Sequence, residues 1–594
     1  MPMRTHTCGE LRSSDITSQA ILCGWVNTFR DQGKGLVFID IRDRTGLTQA
    51  VFDQEDCDSE VMELARSLRR EDVVQITGRV DPRAGGTNPK LDTGEIEVRG
   101  TALTVFSRSN NPPILPDDNE AAKMAEEVRL RHRYIDLRRP TMQRTLQMRH
   151  DLMALTREYF HNLGFLEIET PLLIKSTPEG ARDFVVPSRI YPGKWYALPQ
   201  SPQIFKQILM IAGCDRYIQI CKCLRDEDPR ADRQAEFTQI DLELSFVDRD
   251  EVIKIMTGFI RRVFKQLLDL DLGQIPKVPW QLAIDKWGVD RPDMRFELHL
   301  QDISEVAAKT DFKVFQSALA KDRGVVKAIR IPNSAEALTR KVLDQLQDTA
   351  KLHGAGGLPW TKVTEDGFEG GIAKFIDCIA EELSAALGVE PGDTILMSCD
   401  EWLTACESLG QVRLHAARHL ELIDTTAWKA LWVVDFPMFK WSDDKQRWLA
   451  EHHPFTAPIP EDIDKLESDP GSVVSAGYDM VLNGSEIGGG SIRIHDSEVQ
   501  NTVFRVLGLE EEDMRVKFGF LLDALSQGAP PHGGVAFGLD RLVMLLMCTD
   551  NIRDVIAFPK TQSGADLMTE APGPIDQEQL DELQIHCAEQ VTAK

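Results

Sequence analysis

Three stretches of this sequence carry residues whose types and spacing suit the handling of anions. The first is residues 217–243, YIQICKCLRDEDPRADRQAEFTQIDLE. An alternating strand delivers Arg225, an acid-rich turn follows, and a second strand starts near Phe237. Two antiparallel strands joined by such a loop can hold a triphosphate from above, with Arg225 as a bidentate phosphate partner and Phe237 stacked on a base. An exposed charged hairpin is the bland reading of arginines and acids. The order Arg225, Glu227, Gln234, Phe237, Asp241 is more particular than a solvated hairpin requires. The second stretch is residues 478–495, YDMVLNGSEIGGGSIRIH. Asp479 and Glu486, seven apart, fall on opposite faces of a straight strand; a bend at Asn483-Gly484 would let them share Mg²⁺ on a bound phosphate. The third is residues 533–546, GGVAFGLDRLVMLL, a small-residue strand entering an apolar helix with Arg541 at its start. A phosphate there would also gain from the helix N-terminus.

Elements must be found to position these groups. Five β-rich runs separated by Gly, Asp and Pro turns occupy residues 1–106, with one helical stretch between the third and fourth, the plan of an OB barrel. Residues 110–116, NNPPILP, read as a linker, and 107–140 as a hinge. Helical apolar spacing ending at Gly164 opens a segment, 141–299. Residues 300–424 form a self-contained stretch, 425–560 resume strand-like sequence, and 561–594 are a polar extension. The fold class expected is α+β and multidomain: the barrel, then an antiparallel sheet with flanking helices, interrupted by an inserted α/β domain.

Composition sets the outer limits. The 594 residues are 42% hydrophobic and 27% charged, as in an ordinary globular protein. A net charge of -26 disfavours a general nucleic-acid binder. Within it, residues 129–149 hold seven arginines and one acid, a strip that suggests concentrated polyanion contact. No apolar run approaches the roughly 18 residues of a membrane span, and the first residues show no secretory pattern. Eleven cysteines without a CxxC pair point to reduced thiols and a cytoplasmic location rather than zinc or disulfides.

Taken with residues 164–171, these clusters resemble the signature motifs of class II aminoacyl-tRNA synthetases. GFLEIETP (164–171) is similar to motif 1, LRDE (224–227) through Phe237 to motif 2, and GLDR (538–541) to motif 3. STPEGARD (176–183), QSPQIFK (200–206), HHPF (452–455) and GGGSIR (488–493) resemble the bacterial-type aspartyl family. The resemblance implies an ATP-dependent ligase that joins L-aspartate to tRNA(Asp) through an aspartyl-adenylate. It implies an ATP site of Arg225, Asp226, Glu227, Gln234, Phe237, Glu486, Gly538, Leu539, Asp540 and Arg541, with Arg225 and Arg541 the catalytic pair. Asp479 and Glu486 would hold Mg²⁺. Glu179, Gln203, Lys206, Arg225, Asp241, His452 and Arg493 would bind aspartate, with Glu179, Gln203 and Asp241 at the α-ammonium end and Arg493 on the side-chain carboxylate, assisted by Lys206 and His452. Pro171 would lie in a homodimer interface. Arg30, Gln32, Phe38, Gln49 and Gly86 match positions that meet the anticodon, where an aromatic offers a stacking surface. The resemblance makes 141–299 and 425–560 two parts of one catalytic domain and 300–424 an insertion. The insertion is of the kind shared with the B subunit of the tRNA-dependent amidotransferase.

The residues agree with that chemistry. Attack of a carboxylate on a phosphorus is a meeting of two anions, so it needs positioning and fixed positive charge more than a covalent nucleophile. Alternatives in the same fold are asparaginyl or lysyl enzymes, which the insertion and the 488–493 run disfavour. A non-catalytic tRNA-binding paralogue would be expected to lack Arg225, Glu486 or Arg541. Two readings of the acceptor stay open, tRNA(Asp) alone or tRNA(Asp) with tRNA(Asn). Gln32 and the glycine-rich loop 83–89 tilt the balance toward the second, because a polar amide can bond more than one base edge.

Overall fold

A computed structural model describes residues 3–176, 181–228 and 230–586. The chain divides into two compact units, Met1–Arg149 with Arg553–Pro574, and His150–Ile552 with Ile575–Lys594.

In the first unit, strands Gln19–Asp31, Leu36–Arg42, Leu47–Asp53, Val73–Pro82 and Ile96–Ser107 close into a barrel. Pairing is antiparallel except between the third and fifth strands, and the helix Ser59–Arg66 sits between the third and fourth in sequence. The period-two rule explains the closure: Ala20, Leu22 and Val26 all point inward from the first strand and join Val37, Ile39 and Ile41 from the second.

Three of the strip's seven arginines, Arg133, Arg138 and Arg139, are engaged within the fold, while Arg131 and Arg144 are exposed. Arg133 is buried, with Nε donating to the Ala557 carbonyl at 2.9 Å and Nη2 to those of Arg553 and Ile556 at 2.7 and 2.8 Å. Its Nη1 and the Nε of Arg139 both bind Asp136, each at 2.6 Å. Arg138 pairs with Glu71 at 2.8 Å and lies 4.9 Å over the Trp25 ring. These cations tie residues 133–139 to the barrel and to the 553–557 segment, where guanidinium donors meet backbone carbonyls.

The second unit is built on an eight-stranded sheet. Its order is Lys277–Pro279, Ala430–Val434, Gly477–Leu482, Ser485–Ile492, His532–Gly538, Glu236–Ser245, Arg216–Leu224, Leu166–Glu167. The two edge pairings are parallel and the rest antiparallel. Strands far apart in the chain are therefore neighbours in the middle of the sheet. In chain order, between Lys277–Pro279 and Ala430–Val434, comes a separate antiparallel sheet of five strands, Gln301–Asp302, Gly324–Ile331, Thr394–Glu401, Trp360–Thr364 and Gly367–Glu369, packed by the helices Arg340–Leu352 and Trp402–His419. No helix among the described residues is long and apolar enough to cross a membrane.

Candidate active site

The alternation of one strand organises the site. In Glu236–Ser245, Phe237, Gln239, Asp241 and Glu243 share one face. Phe237 and Gln239 line a cleft of about 280 Å³, together with Arg225, Glu227, Gln234, Glu486, Gly538, Asp540 and Arg541. Farther along the same face, Asp241 and Glu243 enter a buried charge network. Cleft and network are thus two ends of one ruler.

At the cleft end, Arg225 follows the strand Arg216–Leu224, with Cζ 5.2 Å over the Phe237 ring. That distance is a cation–π contact, and Nε also donates to the Gln200 carbonyl at 3.4 Å. Arg541, in the first turn of helix Leu539–Leu546, donates Nη1 to the Glu486 carbonyl at 2.7 Å and pairs with Asp232 at 3.2 Å. Asp540 lines the cleft, but its buried carboxylate accepts from the Thr238 amide at 2.7 Å and so pins the helix start to the neighbouring strand.

The bend between Asp479 and Glu486 is present. Asn483 and Gly484, both at positive φ, make the two-residue turn between antiparallel strands. A bulge between Met480 and Val481 shifts the register, and both carboxylates then overhang Gly489. A Cβ there would lie 2.3 Å from Asp479 Oδ1 and 3.7 Å from Glu486 Oε1, so glycine is required for the close approach. Asp479, and after it burial, push the Glu486 carboxyl above its usual range. Two crowded carboxylates beside an arginine are a donor set that could hold a hard cation together with a bound anion.

At the network end, Lys206 of helix Gln203–Ile211 reaches Asp241 at 2.9 Å and Glu243 at 3.3 Å. Arg493 donates Nε and Nη2 to Glu243 and Nη1 to Ser491 and His453. Burial raises the Asp241 carboxyl to about 6, with Lys206 opposing the shift. Its Oδ1 is buried with no hydrogen-bond partner, an open acceptor for a cationic ligand group. Burial opposes ionisation of Glu243 too, but Arg493 and Lys206 prevail and hold it below its usual range.

Several expected positions fall elsewhere. Leu539 is fully buried in the core and does not line the cleft, because the first helical turn points it inward. Asp226 does not line it either: its backbone bridges to Arg182 and turns the side chain outward. His452 stands not beside Arg493 but 3.6 Å from Asp479. Burial works against its charged form, yet the neighbouring carboxylates, Asp479 first, raise it above its ordinary value. Its neighbour His453 is the residue that meets Arg493, at 2.8 Å. Burial and Arg493 hold that imidazole neutral, as acceptance from a guanidinium requires. Glu179 lies outside the described residues. Glu243 and Ser491 were given no role from the sequence, and His453 only a general one in a substrate loop. The alternation from Phe237 onward was the one signal that could have found Glu243.

In the barrel, Arg30, Gln32, Phe38 and Gln49 line one hollow of about 530 Å³. Gln49 accepts from Arg30 at 3.2 Å and Arg83 at 2.6 Å, and donates to Glu97 at 3.1 Å, which fixes its amide. Gly86, at φ +80°, is not part of that hollow.

A closed five-stranded barrel, with an antiparallel sheet that gathers these clusters in one cleft, defines a class II tRNA synthetase. Residues 125–562 match the family described as tRNA synthetases class II (D, K and N), and residues 20–106 match the OB-fold nucleic acid binding domain. The chain belongs to that class II family, among the aspartate–tRNA ligases. It is 50% identical over 585 residues to the aspartate–tRNA(Asp/Asn) ligase of Geotalea uraniireducens (strain Rf4), covering 98% of this chain and 97% of that one. To the aspartate–tRNA ligase of Agathobacter rectalis it is 47% identical over 589 residues, 98% of each chain. Among solved structures, asparaginyl-tRNA synthetase from Pyrococcus horikoshii with asparaginyl-adenylate matches at TM-score 0.59 and 19% identity, covering 94% of this chain and 99% of that one. The aspartyl-tRNA synthetase from Entamoeba histolytica matches at 0.58 and 17%, covering 94% and 91%. At such identities the likeness speaks for the fold alone.

Proposed function

We propose that this protein activates L-aspartate with ATP and transfers it to the 3′ end of tRNA(Asp) and of tRNA(Asn). The observation that carries the first half is the single face of Phe237, Gln239, Asp241 and Glu243, which lays a nucleotide cleft and a dicarboxylate-ready cation network end to end. Adenine stacks on Phe237, Arg225 binds the α-phosphate, and Arg541 the terminal phosphate. Asp479 and Glu486 hold Mg²⁺, which when bound adds positive charge on the phosphates. Asp241 accepts from the substrate ammonium, while Arg493 and Lys206 face the side-chain carboxylate. The substrate α-carboxylate then attacks the α-phosphorus in line, and pyrophosphate leaves. Charge separates aspartate from near-isosteric asparagine, since an amide would leave buried cations poorly paired.

The second half rests on the barrel hollow with Gln32 at its rim and on relatives named as tRNA(Asp/Asn) ligases. The exposed Leu166, Leu172 and Leu173 around motif 1 favour a homodimer. A cytoplasmic enzyme is the reading consistent with these substrates. ATP–pyrophosphate exchange with aspartate, asparagine and lysine tests the activation. Aminoacylation of tRNA(Asp) and tRNA(Asn) transcripts tests the acceptor: a tRNA(Asn) rate several orders below that for tRNA(Asp) ends the dual reading.

A further inference from the structure

We propose that His532 and Gln207 are positioning residues that fix the amide of Gln203 with its Oε1 toward the α-ammonium of the amino-acid substrate. The inference rests on the aspartate site proposed above. On helix Gln203–Ile211, the positions 203, 206 and 207 share one face, which brings Gln203 and Gln207 to the same wall as Lys206. All four groups of the chain Gln203, Gln207, His532 and Pro530 are linked. His532 Nδ1 lies 2.8 Å from the Pro530 carbonyl, His532 Nε2 lies 3.2 Å from Gln207 Nε2, and Gln203 Nε2 donates to Gln207 Oε1 at 3.2 Å.

Each orientation forces the next. A carbonyl only accepts, so Nδ1 must carry the ring proton. Burial, aided by Arg493 and His495 and opposed by Glu243, holds His532 below its ordinary value, so the ring is neutral and Nε2 accepts. Gln207 must then present its NH₂, which turns its Oε1 to Gln203. That oxygen takes one N–H of Gln203, and the Gln203 amide is left with Oε1 on its other side, where the described residues offer it no donor. An ammonium needs acceptors, and a flipped amide would meet it with N–H groups instead. The same residue also serves the other end of the site, because the His532 carbonyl accepts the Arg493 amide at 2.8 Å. Gln207 and His532 are fully buried, so a bland account is open: they merely satisfy one another.

The full-length protein separates the two accounts. Gln207→Leu, with Gln207→Met as a second shape, is assayed by aspartate-dependent pyrophosphate exchange and by competitive inhibition with succinate, which keeps both carboxylates and lacks the ammonium. The expected result is a KM for aspartate raised about tenfold, the worth of one hydrogen bond to a charged group, with kcat little changed and the succinate inhibition constant unmoved. In a Gln203→Ala background, Gln207→Leu should add nothing. Equal losses for aspartate and succinate, full additivity with Gln203→Ala, or no change in KM would each overturn the proposal. Failure of the parent to activate aspartate would instead remove the substrate reading itself.

Discussion

The Arg493 guanidinium and the Glu243 carboxylate form a buried two-point pair, Nε to Oε1 at 2.9 Å and Nη2 to Oε2 at 3.2 Å. Ser491 and His453 take both Nη1 hydrogens. Of the five donors of an arginine, one on Nη2 remains, the donor that the proposed function gives to the substrate carboxylate. The guanidinium is held in place by the protein's own groups.

Glu243→Gln keeps the shape but sets an amide N–H against a guanidinium that can only donate. Loss of one partner of a buried pair costs about 3–5 kcal/mol. We expect urea unfolding to shift by that order. The kcat/KM for aspartate should fall at least about tenfold, the worth of one hydrogen bond to a charged group. Arg493→Leu should lose aspartate mainly through binding. Unchanged unfolding and unchanged aspartate preference in both variants would show the pair to be incidental.

Arg225→Lys retains charge and loses the planar fork that lies over Phe237. Pyrophosphate exchange should drop by roughly 10²–10³, the scale of removing one donor to developing charge, while circular dichroism stays that of the parent. Arg541→Ala should behave alike. Near-normal exchange by both would take the ATP site away from this cleft.

The Asp241 carboxyl, raised to about 6 by burial, gives a pH signature. Below that value it is protonated and accepts poorly from an ammonium, so KM for aspartate should rise as pH falls through about 6, with kcat less affected. For stability the sign is opposite. A raised carboxyl contributes stability that is present below the ordinary aspartate value and lost as pH rises through about 6. Asp241→Asn should flatten the KM profile; a profile that keeps its step belongs to another group.

Glu486→Gln removes one of the two carboxylates that overhang Gly489. The Mg²⁺ concentration for half-maximal exchange should rise severalfold to more than tenfold, since a hard cation loses an anionic ligand. An unmoved Mg²⁺ dependence would place the ion elsewhere.

The barrel and the motif hairpins were legible because their signals are local. Alternation at Ala20, Leu22 and Val26 names an inward face, and Arg225, Phe237, Asp479 and Glu486 sit on hairpins or turns whose geometry follows from neighbouring residues. Asn483-Gly484 announced its own bend. Even the alternation of Phe237, Gln239, Asp241 and Glu243 could be counted, though not what the last of them would meet.

Partnerships across the sheet were decided only by the tertiary structure. Glu243 and Arg493 are 250 residues apart, and Gln207 and His532 are 325 apart. They meet because the order of the eight strands interleaves distant segments, and no local pattern encodes strand order. The same holds for the histidines: sequence could not say that His453 faces Arg493 while His452 faces Asp479, since adjacent residues diverge with the backbone's direction. The arginine strip reads alike whether its cations face water or carbonyls, and the carbonyls at 553–557 that absorb Arg133 carry no sequence mark at all. Residue type fixed which chemistry was available; burial and strand order fixed which groups perform it, because both depend on contacts the chain makes only when folded.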